Sequence, residues 1–196
     1  MSTLIVTAHP SADSLTAHAV RRLREQLEER GERVEVADLA AEGFDPRWTA
    51  ADHAGYAARS RDDAGVLAEQ ARVDRHEHLV LAFPVYWWSM PALLKGWIDR
   101  VFIAGWAFDA TGERAMLGRL TGHLLPVAAT DEARFARHGY TEAFRTQIEH
   151  GVLDYCGVRR GVTAFVHGSE GTDAALRGAA VEAATSAIAA GIASAR

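Results

Sequence analysis

The chain holds a single cysteine, Cys156, in 196 residues, so no intrachain disulfide can form and nothing points to an oxidising compartment. It also holds a single lysine, Lys95, which precedes Gly96 and follows no glycine-rich loop; this removes a Walker A phosphate loop. No two glycines are separated by one residue, so a G-x-G-x-x-G dinucleotide fingerprint does not exist. A G-x-S-x-G nucleophile elbow is missing too, because Gly168-Ser169-Glu170-Gly171 has the wrong spacing. No apolar run reaches the length of a membrane span, and the stretch from Met1 to His9 is too short and uncharged for a secretory signal. The expectation is a cytoplasmic protein without membrane insertion. Basic excess is lacking as well: a net charge of −5 and a pI near 6.0 argue against a nucleic-acid partner.

What remains is the balance of an ordinary globule, 48% apolar and 24% charged, with the length of one domain over residues 1–196. His76 and His78 flank Glu77 without an evident third ligand; they read as a solvated surface pair, and no metal is expected. Cys156 has no basic partner in Asp154-Tyr155-Cys156-Gly157 and reads as a buried structural thiol.

Five short apolar runs alternate with helical patterns. Thr3 to Ala8 is strand one, and Val20, Leu23 and Leu27 mark an amphipathic helix closed by Gly31. Strand two is Arg33 to Ala37. A long irregular connection from Ala40 to Tyr56 leads to a helical stretch around Asp62 to Arg75. His78 to Phe83 is strand three, Gly105 to Gly122 an excursion or hairpin, and His123 to Ala128 strand four, weakened by Pro126. A polar loop, Ala129 to Gly139, precedes a helix from about Tyr140 to Tyr155. Val162 to Val166 is strand five. Asp173 to Ala195 is a final helix with Leu176, Ala180, Ala184, Ile188 and Ile192 inward. The alternation predicts an α/β fold, a doubly wound five-stranded parallel sheet with helices on both faces.

Phe83 to Phe102, FPVYWWSMPALLKGWIDRVF, carries three of the five tryptophans and two of the five prolines. The buried strand before it, stopped by Pro84, empties into a loop, Pro84 to Met90, stiffened by a proline at each end. Pro91 then opens a helix at its first position, where a missing N–H costs nothing. Loops at the carboxyl ends of parallel strands are where open α/β sheets bind ligands, and aromatic rings held there suggest a flat, partly apolar one. The loop after strand one, His9 to Thr16, offers the unpaired N–H groups of a helix start to an anion; capping by Asp13 or Ser14 is the competing reading.

The twenty residues from Phe83 resemble the FP-x-x-W-x-x-x-P-A-x-LKGW-x-DRVF string of the flavodoxin-like NAD(P)H:quinone oxidoreductases. The resemblance implies the strand order 2-1-3-4-5 and a bound flavin, FMN with FAD as the alternative, reduced by NAD(P)H. His9, Ser14, Leu15 and Thr16 would meet the flavin phosphate. Pro84, Val85, Tyr86, Trp87 and Trp88 would lie under its ring, with Thr130 as a further cofactor contact. His138 matches the family's histidine, and Tyr140 substitutes for a tyrosine that relieves charge on the reduced ring; these are the implied catalytic residues. The family's Gly-Gly turn is absent, and Phe135 occupies the neighbourhood where a tyrosine is expected. The segment from Phe102 to Asp109 would cross a homodimer interface, so that Trp106, Phe108 and Phe135 line the substrate pocket. The implied activity is ping-pong hydride transfer to a quinone or similar flat acceptor. A regulatory subunit of a potassium-efflux system and an azo or nitro reductase are the alternatives.

Overall fold

The protein is represented by a computed structural model that describes residues 1–58, 63–109 and 111–195. Five strands form the frame: β1 (Ser2–Thr7), β2 (Arg33–Asp38), β3 (His78–Pro84), β4 (Thr121–Val127) and β5 (Arg159–Thr163). They pair in parallel in the order β2-β1-β3-β4-β5, the order that the resemblance implies. The helices are α1 (Leu15–Glu29), α2 (Ala50–Ala58), α3 (Ala64–Asp74), α4 (Ala92–Val101), α5 (Glu132–Arg137), α6 (Tyr140–Phe144) and α7 (Ala174–Ser194). A π-helical segment, Arg145–Asp154, continues α6.

The alternation of side chains along the central strands divides the core in two. Leu4, Val6, Leu79, Leu81 and Phe83 pack on one face against α3, α4 and the α6–π segment. Ile5, Val80, Ala82, Leu125 and Val127 face the other way, against α1 and α7. β1, β3 and β4 are buried throughout, as central parallel strands covered on both faces must be. Among the described residues no helix is long and apolar enough to cross a membrane.

Several expectations are corrected. The connection after β2 is not irregular to Tyr56: Thr49 and Asp52 form a reciprocal capping box that starts α2. In the same way Asp131 accepts from the Arg134 N–H at 2.8 Å and starts α5 inside the stretch read as a polar loop. The helix read as running from Tyr140 to Tyr155 is α6 followed by the π-helical segment. Asp62 lies outside the described residues, and α3 begins at Ala64. Pro91 is the residue before the first turn of α4 rather than within it.

Strand five lies earlier than expected, and Pro126 supplies the reason. The Ala164 N–H donates to the Leu124 carbonyl at 2.9 Å, but the next rung needs a donor from residue 126, which proline lacks. Pairing resumes at Val166, whose N–H donates to the Pro126 carbonyl at 2.9 Å. On α7, Ala184, Ile188 and Ile192 are buried as expected, but Leu176 in the first turn is 69% exposed.

His76 and His78 are not a solvated pair; both are buried. The Val162 N–H donates to His123 Nδ1 at 3.0 Å, which leaves the His123 proton on Nε2, facing His78 Nδ1 at 3.2 Å. Cα-only neighbours make room for this pair: a Cβ at Gly161 would meet the His123 ring at 2.4 Å. Burial holds His123 neutral, with its pKa lowered to about 4, and lowers that of His78 as well. Cys156 is buried as read, and burial pushes its thiol up to about 11.

Candidate functional site

Three loops converge at the carboxyl edge of the sheet. The first follows β3. The Ser89 N–H donates to the Tyr86 carbonyl at 3.0 Å and the Tyr86 N–H to the Ser89 carbonyl at 3.1 Å, closing a two-residue turn around Trp87 and Trp88. Both tryptophans have left-handed backbones, with φ of +48° and +65°. That is the geometry of a type I′ turn, which normally takes Asn-Gly. Two bulky residues there are strained by roughly 1–2 kcal/mol each. Such strain clusters at sites of function.

The two rings have different surroundings. Trp88 stacks on Tyr140 with centroids 3.8 Å apart and planes 10° from parallel, and meets Phe135 edge-on at 6.0 Å. Trp87 is 93% exposed. A large apolar ring held in a strained turn and left bare calls for something to cover it. The N–H groups of Trp87 and Trp88 also have no acceptor among the described residues.

The second loop follows β4. Ala128 is tied down by donating its N–H to the Val166 carbonyl at 2.8 Å, and the Thr130 carbonyl accepts from His167 Nδ1 at 3.0 Å. Together the two loops enclose a cavity of about 310 Å³, whose walls include Val85, Trp87, Trp88, Thr130, Arg134 and Phe135. Of the residues expected near a flavin ring, the cavity therefore brings together Val85, Trp87, Trp88, Thr130 and Phe135. His138 and Tyr140 stand behind Trp88 instead: Tyr140 is stacked on it, and His138 is exposed with its ring 5.6 Å from that of Tyr140. Neither lines the cavity.

The third loop follows β1. Ser14 Oγ accepts from the Ala17 N–H at 3.1 Å, so its hydroxyl caps α1. His9 Nδ1 accepts from the Ser11 N–H at 3.0 Å, which ties the ring to this loop. The Leu15 and Thr16 N–H groups, first in α1, have no acceptor among the described residues. Thr16 is only 2% exposed. Sequence reasoning passed over Arg21, whose Nη1 donates to the Ala12 carbonyl at 2.9 Å and brings a cation against this loop. A side chain reaching back nine residues leaves no spacing signal. His167 was passed over as well; it follows β5 and becomes a neighbour of Thr130 only through the sheet order.

Trp106 and Phe108 do not line the cavity of their own chain. Trp106 Nε1 donates to Asp74 Oδ1 at 3.1 Å, and Phe108 packs edge-on against Tyr155 at 5.3 Å. Trp97, Ile98, Val101 and Phe102 are buried within the chain, and Gly96 allows α4 to approach Pro46, where a Cβ would meet the carbonyl oxygen at 2.2 Å.

A family model described as a flavodoxin-like fold matches residues 1–190. The chain is 32% identical over 180 residues to the ribosyldihydronicotinamide dehydrogenase [quinone] of Mus musculus, covering 80% of this chain and 77% of that protein. The structure of an NAD(P)H:quinone oxidoreductase from Methanothermobacter marburgensis is similar, with a TM-score of 0.88 at 26% identity, covering 95% of this chain and 94% of that one. General stress protein 14 from Treponema denticola, solved in complex with FMN, shares the fold at 23% identity and a TM-score of 0.69, with both chains covered completely.

Proposed function

This chain belongs to the flavodoxin-like NAD(P)H:quinone oxidoreductase family, and we propose that it passes a hydride from NAD(P)H through bound FMN to a quinone-like acceptor, as a homodimeric, single-domain cytoplasmic enzyme. The observation that carries this reading is the strained Trp87-Trp88 turn, bare on one side and set in the wall of a cavity at the sheet's carboxyl edge.

The residues present fit a flavin. A flat heteroaromatic ring needs an apolar wall and donors in its plane, and the turn offers two indoles and two unbonded N–H groups. A phosphate needs N–H donors and positive charge. Leu15 and Thr16 offer the first at the start of α1, with the helix dipole behind them, and Arg21 brings a guanidinium to the same loop. FAD would use the same wall and cradle, and mass identification of the released flavin distinguishes the two.

The flavin, when bound, supplies the hydride-accepting centre. The chain's part is to hold and to exclude. Trp87 and Trp88 keep water from one ring face, and their N–H groups, fixed by the Tyr86–Ser89 bonds, stabilise charge without reorganising. Tyr140 braces Trp88 from behind, with His138 beyond it, so the catalytic role expected of this pair is reduced to positioning Trp88. Phe135 closes the floor of the cavity. Trp106 and Phe108 are proposed to reach the partner's cavity, which is consistent with their lying outside their own. A pocket open to one substrate at a time gives ping-pong kinetics. The test is steady-state NAD(P)H oxidation by FMN-loaded protein at varied quinone. Parallel lines in the double-reciprocal plot are expected. The absence of FMN-dependent turnover with every quinone tried would refute the activity.

A further inference from the structure

One charged side chain in the cavity wall has no role in any assignment made above. Arg134, in α5, lines the same cavity as Trp87, Trp88, Thr130 and Phe135. Its backbone is fixed by the bond from its N–H to Asp131 Oδ1 at 2.8 Å. Its guanidinium has no hydrogen bond or ion pair among the described residues. That sets it apart from Arg145 and Arg160, which line a second cleft, beside β5, and are spent on carboxylates: Arg145 on Glu142, Arg160 on Glu149 and Asp154. Two carboxylates share the surroundings of Arg134. Asp131 is held below the usual carboxylate range, chiefly by the Arg134 N–H and further by its guanidinium. Glu170, from the segment after β5, lines the cavity without an ion pair to Arg134.

Hydride transfer delivers two electrons and one proton, so a neutral ring in this cavity gains one negative charge unless a second proton follows. A cation in the wall favours the charged product over the neutral starting form; a carboxylate in the wall opposes it. His138 and Tyr140, expected to relieve this charge, stand behind Trp88, whereas Arg134 faces the cavity. We propose that Arg134 is the residue that compensates the charge of the reduced flavin and so sets its reduction potential, with Glu170 acting in the opposite sense. The proposal rests on the flavin reading above.

The test is potentiometric titration of the FMN-loaded protein against a reference dye, for wild type, Arg134→Gln, Arg134→Lys and Glu170→Gln. Arg134→Gln is expected to weaken the binding of reduced FMN about tenfold more than that of oxidised FMN. For a two-electron couple this equals a fall of about 30 mV in midpoint potential. Arg134→Lys should keep most of the wild-type value, and Glu170→Gln should raise it. An unchanged midpoint in Arg134→Gln would overturn the proposal, as would an equal fall in Arg134→Lys. So would equal weakening of both redox forms, which would make Arg134 a simple anchor. A wild-type protein that binds no FMN would instead defeat the flavin reading itself.

Discussion

Replacing Trp87 with asparagine should make the flavin-free protein more stable and the flavin complex weaker. At φ +48° an L side chain costs roughly 1–2 kcal/mol, and asparagine is among the residues that tolerate this region. The loss on the other side is small. With 93% of Trp87 exposed, the ring withdraws only about 15–20 Å² of a tryptophan's surface from water, worth roughly 0.4–0.5 kcal/mol. The net gain is about 0.5–1.6 kcal/mol, or about 1–6 °C in Tm for a chain of this size. The same change strips one indole from the cavity wall. Losing an aromatic platform under a flat heteroaromatic ring costs roughly 1–3 kcal/mol, so FMN should bind about 5- to 150-fold more weakly. Thermal melts of flavin-free protein and fluorescence titration with FMN would measure both effects. In saturating FMN the order of stabilities should narrow or reverse, because ligand binding stabilises the wild type more. A lower Tm without flavin would refute the strain argument. An FMN affinity within about twofold of wild type would refute the placement of the ring on Trp87.

Three further outcomes are expected. Ser14→Ala should cost about 1 kcal/mol of stability through the lost cap, whereas Arg21→Gln, which removes the cation held against the loop, should weaken FMN and leave riboflavin, which lacks phosphate, unaffected; equal losses for both ligands would move Arg21 from phosphate binding to fold. Stability should fall with acid through His123. Its proton is bound in the unfolded chain below about pH 6.5 but in the folded one only below about 4, so the contribution, roughly 3 kcal/mol, is complete above the first value and lost progressively between them. Denaturant midpoints for wild type and His123→Gln from pH 7 to 4.5 would measure it, and parallel pH profiles would refute it. Phe108→Asp should impair quinone turnover more than FMN binding and shift the protein toward monomer in sedimentation; a fully active wild-type monomer would overturn the shared pocket.

The core was legible because β1, β3 and β4 each carry an apolar run, Leu4 to Val6, Leu79 to Phe83 and Leu124 to Val127; the sheet order was legible only through the resemblance carried by the FP…LKGW…DRVF string. The same string singled out the turn at Trp87 and Trp88, which lines a cavity. What escaped was decided by contacts distant in sequence or by single caps. Thr49 with Asp52 and Asp131 with Arg134 start helices in stretches whose apolar pattern is weak. One missing N–H at Pro126 moved β5. His78 looked exposed beside Arg75, His76 and Glu77, and is buried because β4 places His123 against it. The burial of Trp97, Ile98 and Val101 depends on Gly96, which lets α4 pack closely against Pro46, a contact distant in sequence. Trp87's bareness has no sequence signature at all: Trp87 and Trp88 are adjacent and identical in type, and only the turn sends one inward and one out.

The most direct measurement is equilibrium titration of flavin-free protein with FMN, followed by tryptophan fluorescence and by the visible spectrum of the flavin. Saturable quenching at one FMN per chain is expected, with a perturbed flavin spectrum and with both signals weakened in Trp87→Asn. Tryptophan emission and a flavin spectrum that stay unchanged at every FMN concentration, in protein shown to be folded, would contradict a flavin site on this turn.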